Sequence, residues 1–127
     1  MAKLSFASLR TLCAGLPGAT HDIKWGADLV YSVGGKMFAV TYPPGDERSG
    51  DDKFAFKVDD DRFLELTDRT GIVPSPYLAR ARWVSITPQA ALTQAEANAL
   101  VKRSYELVFA KLTRKLQREI ESGSGHA

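Results

Sequence analysis

The sequence predicts an α+β domain of two layers, an antiparallel sheet with its helices packed on one face. Three observations carry that prediction. Two apolar-rich runs, "DLVYSV" and "KMFAVT", are joined by Gly34-Gly35, a pair suited to a two-residue hairpin turn with positive φ. "KFAFKV" (53–58) alternates apolar and polar residues, as a strand buried on one face must. The chain opens and closes on segments with helical spacing of apolar residues, so helices flank the strands instead of alternating with each one. At 127 residues, 44% hydrophobic and 25% charged, there is apolar material for one core without disulfide staples. The boundaries predicted are one domain over 1–120 and a small, polar, fraying tail over 121–127.

Each element has a local reason. Residues 5–15, "SFASLRTLCAG", put Phe6, Leu9 and Cys13 on one helical stripe with Leu16, and Ser5 is the N-cap. Pro17 and its flanking glycines stop that helix. "HDIKW" (21–25) reads as a short strand, broken from the hairpin by Gly26. A tight Gly34-Gly35 turn sets Val33 opposite Lys36, Tyr31 opposite Phe38 and Leu29 opposite Val40. Leu29, Tyr31, Val33, Phe38 and Val40 then share the core face, and Val30, Ser32, Met37, Ala39 and Thr41 the other. "YPPGDERSGDD" (42–52) is a loop by composition. In the next strand Phe54, Phe56 and Val58 point inward and Lys53, Ala55 and Lys57 outward.

The aspartates from Asp59 onward favour the N-terminus of a short helix, "DDDRFLELTDR", with Phe63 and either Leu66 or Leu64 facing the core. That local role outweighs metal binding for Asp59–Asp61. "VPSPYLA" reads as a stiff crossover and "RARWVSI" as a strand, with Val84 and Ile86 inward and Ala81, Trp83 and Ser85 outward. Thr93-x-x-Glu96 is a capping-box pattern. It opens a last helix running to about Ile120, with Val101, Tyr105, Val108, Leu112 and Leu116 at helical spacing.

Composition excludes more functions than it selects. A formal charge of +2 does not by itself imply a nucleic-acid partner. The charge is uneven, though: 46–61 is mostly acidic, while Lys102, Arg103, Lys111, Arg114, Lys115 and Arg118 face only Glu106. The single cysteine, Cys13, falls on a helix's apolar stripe and reads as a buried structural thiol. With no signal peptide and no apolar run of the roughly 20 residues a membrane span needs, the expectation is a cytoplasmic chain without a membrane partner. His21 and His126 are the only histidines, and no nucleophile elbow, phosphate loop or zinc-ligand spacing accompanies them. The expectation is a protein that is not an enzyme, with no catalytic residue, cofactor or metal.

One constellation remains. Trp25, Tyr77 and Trp83 are large rings in segments that do not read as fully buried, with Lys24, Lys53, Lys57, Arg80 and Arg82 around them. One reading is structural: Trp83 fills a gap between sheet and loop beside Tyr77, and Arg80 pairs with one of the aspartates. The other is functional: if Trp83 shares the open sheet face with Lys53 and Lys57, the face can stack bases and neutralise phosphate. Binding to DNA would then be weak and strongly salt-dependent. The alternative is a protein- or small-ligand-binding module, including a homodimer, that uses the same face.

Several separated motifs also occur in a known order: "LPG", "KWG", "GGKMFA", "FKVD", "YLARARWV" and "SYELV". With their flanks, from about Leu9 to Leu112, they resemble the MmcQ/YjbR family of small bacterial proteins. The resemblance implies a frataxin-like (CyaY-like) fold, a curved antiparallel sheet with flanking helices described as a double-wing arrangement, and a DNA-binding label inferred from fold. It does not bring iron with it. A hard-cation site needs oxygen ligands, and the first helix has no Asp or Glu between Ser5 and Gly15.

Overall fold

The first helix starts where the sequence places it. Ser5 caps α1 (Phe6–Gly15), its hydroxyl accepting the Ser8 N–H at 3.1 Å, and Phe6, Leu9 and Cys13 are buried. The computed structural model describes residues 4–24, 28–41, 53–75 and 78–124, with side chains through residue 122. The loop predicted at 42–52 and the last three residues of the tail lie outside them.

The strands are β1 (Ala19–Lys24), β2 (Asp28–Val33), β3 (Lys36–Thr41), β4 (Phe54–Lys57), β5 (Ile72–Pro74) and β6 (Trp83–Ile86). They form one antiparallel sheet in the order β1-β2-β3-β4-β6-β5. α2 (Asp60–Thr67), α3 (Gln94–Phe109) and α4 (Arg114–Ser124) complete the chain. Core residues of α1, α2 and α3 join the inward side chains of β2, β3, β4 and β6 in one apolar cluster, with Leu116 and Ile120 of α4 packed against it. The helices therefore share one face of the sheet, as predicted.

The hairpin turn is the predicted one, with φ of +58° at Gly34 and +80° at Gly35. A side chain at Gly34 would also strike Leu112, whose Cδ1 lies 2.6 Å from where a Cβ would sit. Beyond the turn the register departs from expectation. Val33 faces Lys36 and Ser32 faces Met37, but Tyr31 faces Ala39 and Leu29 faces Thr41, because Phe38 is an extra residue in a bulge. Phe38 and Ala39 thus both enter the core, and Val40, predicted inward, turns to the opposite face beside Val30 and Ala55. One inserted residue reverses the facing of everything after it.

Three further differences matter. β5 was not predicted; it is a three-residue edge strand, and Pro74 is tolerated there because an edge need not donate on both sides. Arg80 and Ala81 are not in a strand: Ala79–Ala81 is a single 3-10 turn, and β6 begins at Trp83. The last helix is two helices. The Gln117 side-chain amide donates to the carbonyls of Phe109 and Leu112 (3.1 and 3.0 Å), satisfying the end of α3, and Thr113 Oγ1 accepts the Leu116 N–H where α4 starts. α4 continues through residues 121–124, the first part of the expected tail.

In α2, Leu66 is buried and Phe63 packs on the core, whereas Leu64 is 80% exposed. Asp59 holds the N-cap position without making a cap hydrogen bond, since its carboxylate is turned to Arg103.

Candidate nucleic-acid interface

Strand register decides which candidate residues share a surface. Val30, Val40, Ala55, Ser85 and Val73 form one row across the face away from the helices. Val30, Ala55 and Ser85 in that row are buried, and so is Trp83, which stands opposite Lys57 on the same face and is only 4% exposed. The expected contact residue is therefore closed to a stacking base. Its backbone is tied down as well: Ser75 N–H donates to the Trp83 carbonyl (3.0 Å) and Trp83 N–H to that of Leu78 (3.2 Å). Trp25 and Tyr77, the other two rings of the expected platform, lie outside the described residues.

The cations separate into two groups. Lys24 stands opposite Asp28 in the β1–β2 register at one end of the strands, and Lys53, whose carbonyl accepts from Thr41 Oγ1, lies at that same end. Lys57 closes the opposite end of β4, four residues on, which is about 13 Å along an extended chain. Lys53 and Lys57 share a face, as alternation requires, but not a neighbourhood.

A tighter cluster forms around Lys57. Its ammonium donates to the Ala81 carbonyl in the 3-10 turn, next to Arg80 and Arg82. Partial burial pushes its pKa down, Lys111 adds to the fall, Asp60 opposes it and Arg82 lowers it further. Lys36, the first residue of β3, is at this end of the sheet too, beside the turn that meets Leu112. Lys111 was visible in the sequence only as part of a basic run. What brings it to Lys57 is the end of α3 at the Gly34-Gly35 turn.

Arg82 holds the one positive φ among the described non-glycine residues, +62°. The left-handed conformation ends the 3-10 turn, where Arg82 N–H donates to the Ala79 carbonyl, and lets its own carbonyl accept the Val58 N–H at 2.8 Å. Its guanidinium is 3.3 Å from Asp60 and lies over the Phe63 ring, 5.4 Å from the centroid. Arg80 is exposed.

Other chemistry-bearing groups have structural surroundings. Burial pushes the Cys13 thiol up to about 12, which keeps it out of its nucleophilic thiolate form at neutral pH. His21 is exposed on the edge strand beside Tyr31, with ring centroids 6.0 Å apart. Among the described residues, no three His, Cys, Asp or Glu side chains are grouped to hold a metal ion, and no helix is long and apolar enough to cross a membrane.

A six-stranded antiparallel sheet with its helices packed on one face defines a class of small α+β protein. Within it the family is specific: the YjbR family model matches residues 14–107, and the chain belongs to that family. Protein DR2400 of Deinococcus radiodurans, described with a DUF419 domain, is similar with a TM-score of 0.79 and 26% identity, over 94% of this chain and 89% of that one. A protein from Pseudomonas syringae shares the fold with a TM-score of 0.66 and 18% identity, over 83% of this chain and 99% of that one. No curated protein matches.

Proposed function

We propose that this chain is a DNA-binding module that grips phosphate through the cations at the turn end of the sheet, Lys57, Arg80, Arg82 and Lys111. The reading rests on one observation: the Lys57 ammonium donates to the Ala81 carbonyl, between Arg80 and Arg82 in the chain, at the sheet end where Leu112, the neighbour of Lys111, meets the Gly34 turn, and Asp60, 3.3 Å from Arg82, is the carboxylate paired there. Like charges gathered this way repel in the free protein, and a bound polyanion relieves the repulsion. Arginines at such a site contact phosphate oxygens in pairs, whereas a lysine acts as a point charge. With Trp83 buried, the contacts are to the phosphate backbone and not to bases stacked on that ring. The module orients and holds a strand without carrying out chemistry on it.

The test is a salt titration of binding to a short DNA duplex. Each phosphate contact contributes about 0.9 to the slope of log K against log salt, so Lys57→Ala with Lys111→Ala should lower the slope by about 2. Lys24→Ala with Lys53→Ala, at the other end, should leave it nearly unchanged. If neither duplex nor single-stranded DNA binds at about 50 mM salt, the reading fails.

A further inference from the structure

α2 and α3 lie side by side on the sheet without packing closely on each other. The contacts of α2 go to β5 and β6, and those of α3 to α1 and the central strands. Two charged struts span the gap. At one end Arg103 makes a two-pronged pair with Asp59, both bonds 3.0 Å, and at the other Arg69 reaches Glu96 at 3.1 Å. Between the struts is a cleft of about 340 Å³. That volume is at the small end of the range for ligand sites, roughly 300–1,000 Å³.

The lining is chemically balanced. Val58 and Leu100, both buried, contribute its apolar part, and Ala99 is an exposed small residue on the α3 side. Arg62 and Arg103 bring two guanidiniums and Asp59 and Glu96 two carboxylates, with Glu65 behind Arg62 and Glu106 behind Arg103. A simple anion entering the cleft meets those carboxylates, and a simple cation meets the guanidiniums. Only a ligand carrying both charges can exchange partners with the walls without leaving one sign uncompensated. The walls also have spare capacity. Arg62 gives Nε and Nη2 to Glu65, so its Nη1 is available, while each Glu96 oxygen accepts a single hydrogen bond, from Thr93 N–H or from Arg69.

We propose that the α2–α3 cleft binds a small zwitterion with an apolar body, of the size and chemistry of a free dipeptide. Its carboxylate meets Arg62, since the Arg103 guanidinium is taken by Asp59 and Glu106, its ammonium meets Glu96, and its apolar side chains lie against Val58 and Leu100. The lining residues are not the cations proposed to grip DNA, although Val58 is bonded to Arg82, and the proposal does not depend on DNA binding.

The experiment is an NMR titration of the full chain with leucyl-leucine, taken to about 10 mM so that a Kd near about 1 mM would be saturated. Saturable shifts are expected at amides of residues 58–62 and 96–103. The same peptide blocked as N-acetyl and C-terminal amide should give none. Ala99→Phe fills the cleft from an exposed helical position and should abolish binding while the thermal midpoint stays near that of the parent. Arg62→Gln leaves both struts in place and should weaken binding by about tenfold or more, the loss of one charge-assisted hydrogen bond. No saturation by leucyl-leucine, equal binding of the blocked peptide, or binding undiminished in both variants overturns the proposal.

Discussion

α1 and α2 flank the same helix, α3, on the same face of the sheet, and they are joined to it by opposite means. On the α1 side, Phe6, Leu9 and Cys13 merge with Val101, Tyr105 and their neighbours into one buried cluster, and Tyr105 Oη donates to the Pro17 carbonyl at 2.7 Å. On the α2 side the link is Arg103–Asp59 and Arg69–Glu96, all four side chains 30–48% exposed, with a cleft between. Apolar contact is additive in area and tolerates no gap, so it fixes the spacing of α1 and α3. Leu66 of α2 is buried in the same cluster, but the direct links from α2 to α3 are charged side chains that reach across a gap and remain solvated, with the cleft between them. One side of α3 is built for stability and the other leaves an opening.

The largest expected effect is on the packed side. Leu9→Ala removes a fully buried side chain from the α1–α3 contact and should cost about 3 kcal/mol in urea unfolding. A loss below about 1 kcal/mol would mean that this contact is no tighter than the charged one. Next comes the start of α3, common to both sides. There Thr93 Oγ1 accepts the Glu96 N–H and Glu96 Oε1 the Thr93 N–H, each at 3.0 Å. Thr93→Ala should cost about 1 kcal/mol. It should also loosen Glu96, so the Arg69 strut should weaken with it, read as a reduced coupling in an Arg69–Thr93 double-mutant cycle.

The packed side was legible in the sequence and the charged side was not. Phe6, Leu9 and Cys13 recur at helical spacing, and Ser5 and Thr93-x-x-Glu96 are caps whose bonding partners are local. Alternation placed Phe54, Phe56 and Val58 correctly for the same reason. The bulge at Phe38 escaped because Phe38 and Ala39 are both apolar, and an extra inward residue leaves no mark in a run of apolar residues. The break between α3 and α4 escaped because Leu112 and Leu116 keep the helical period across it, with neither Gly nor Pro to announce it. Among the candidate site residues, alternation gave the facing of Trp83 but not what closes over it. It gave the shared face of Lys53 and Lys57 but not their separation. The Lys57–Lys111 approach and the pair Asp59–Arg103, 44 residues apart in sequence, depend on tertiary packing that no local pattern encodes.

The smallest effect distinguishes the two sides by pH. Hydrogen bonds from Arg103 hold the Asp59 carboxyl below its ordinary value, and Glu96 is lowered by the Thr93 N–H and then by Arg69. In the unfolded chain these groups return to the usual range near about 4. The unfolded state therefore takes up protons first as pH falls, and the stability these carboxylates contribute, complete above that range, is lost on descending through their lowered folded values. Asp59→Asn should cost less than about 1 kcal/mol at neutral pH, because the pair is solvated, yet should flatten part of the acid limb. Leu9→Ala should lower the whole curve and leave its slope alone. Urea midpoints between about pH 3 and 7 measure both. If Asp59→Asn keeps the parent's acid slope, or costs as much at pH 7 as Leu9→Ala, then the α2 side is not held by charge, and the contrast with α1 is wrong.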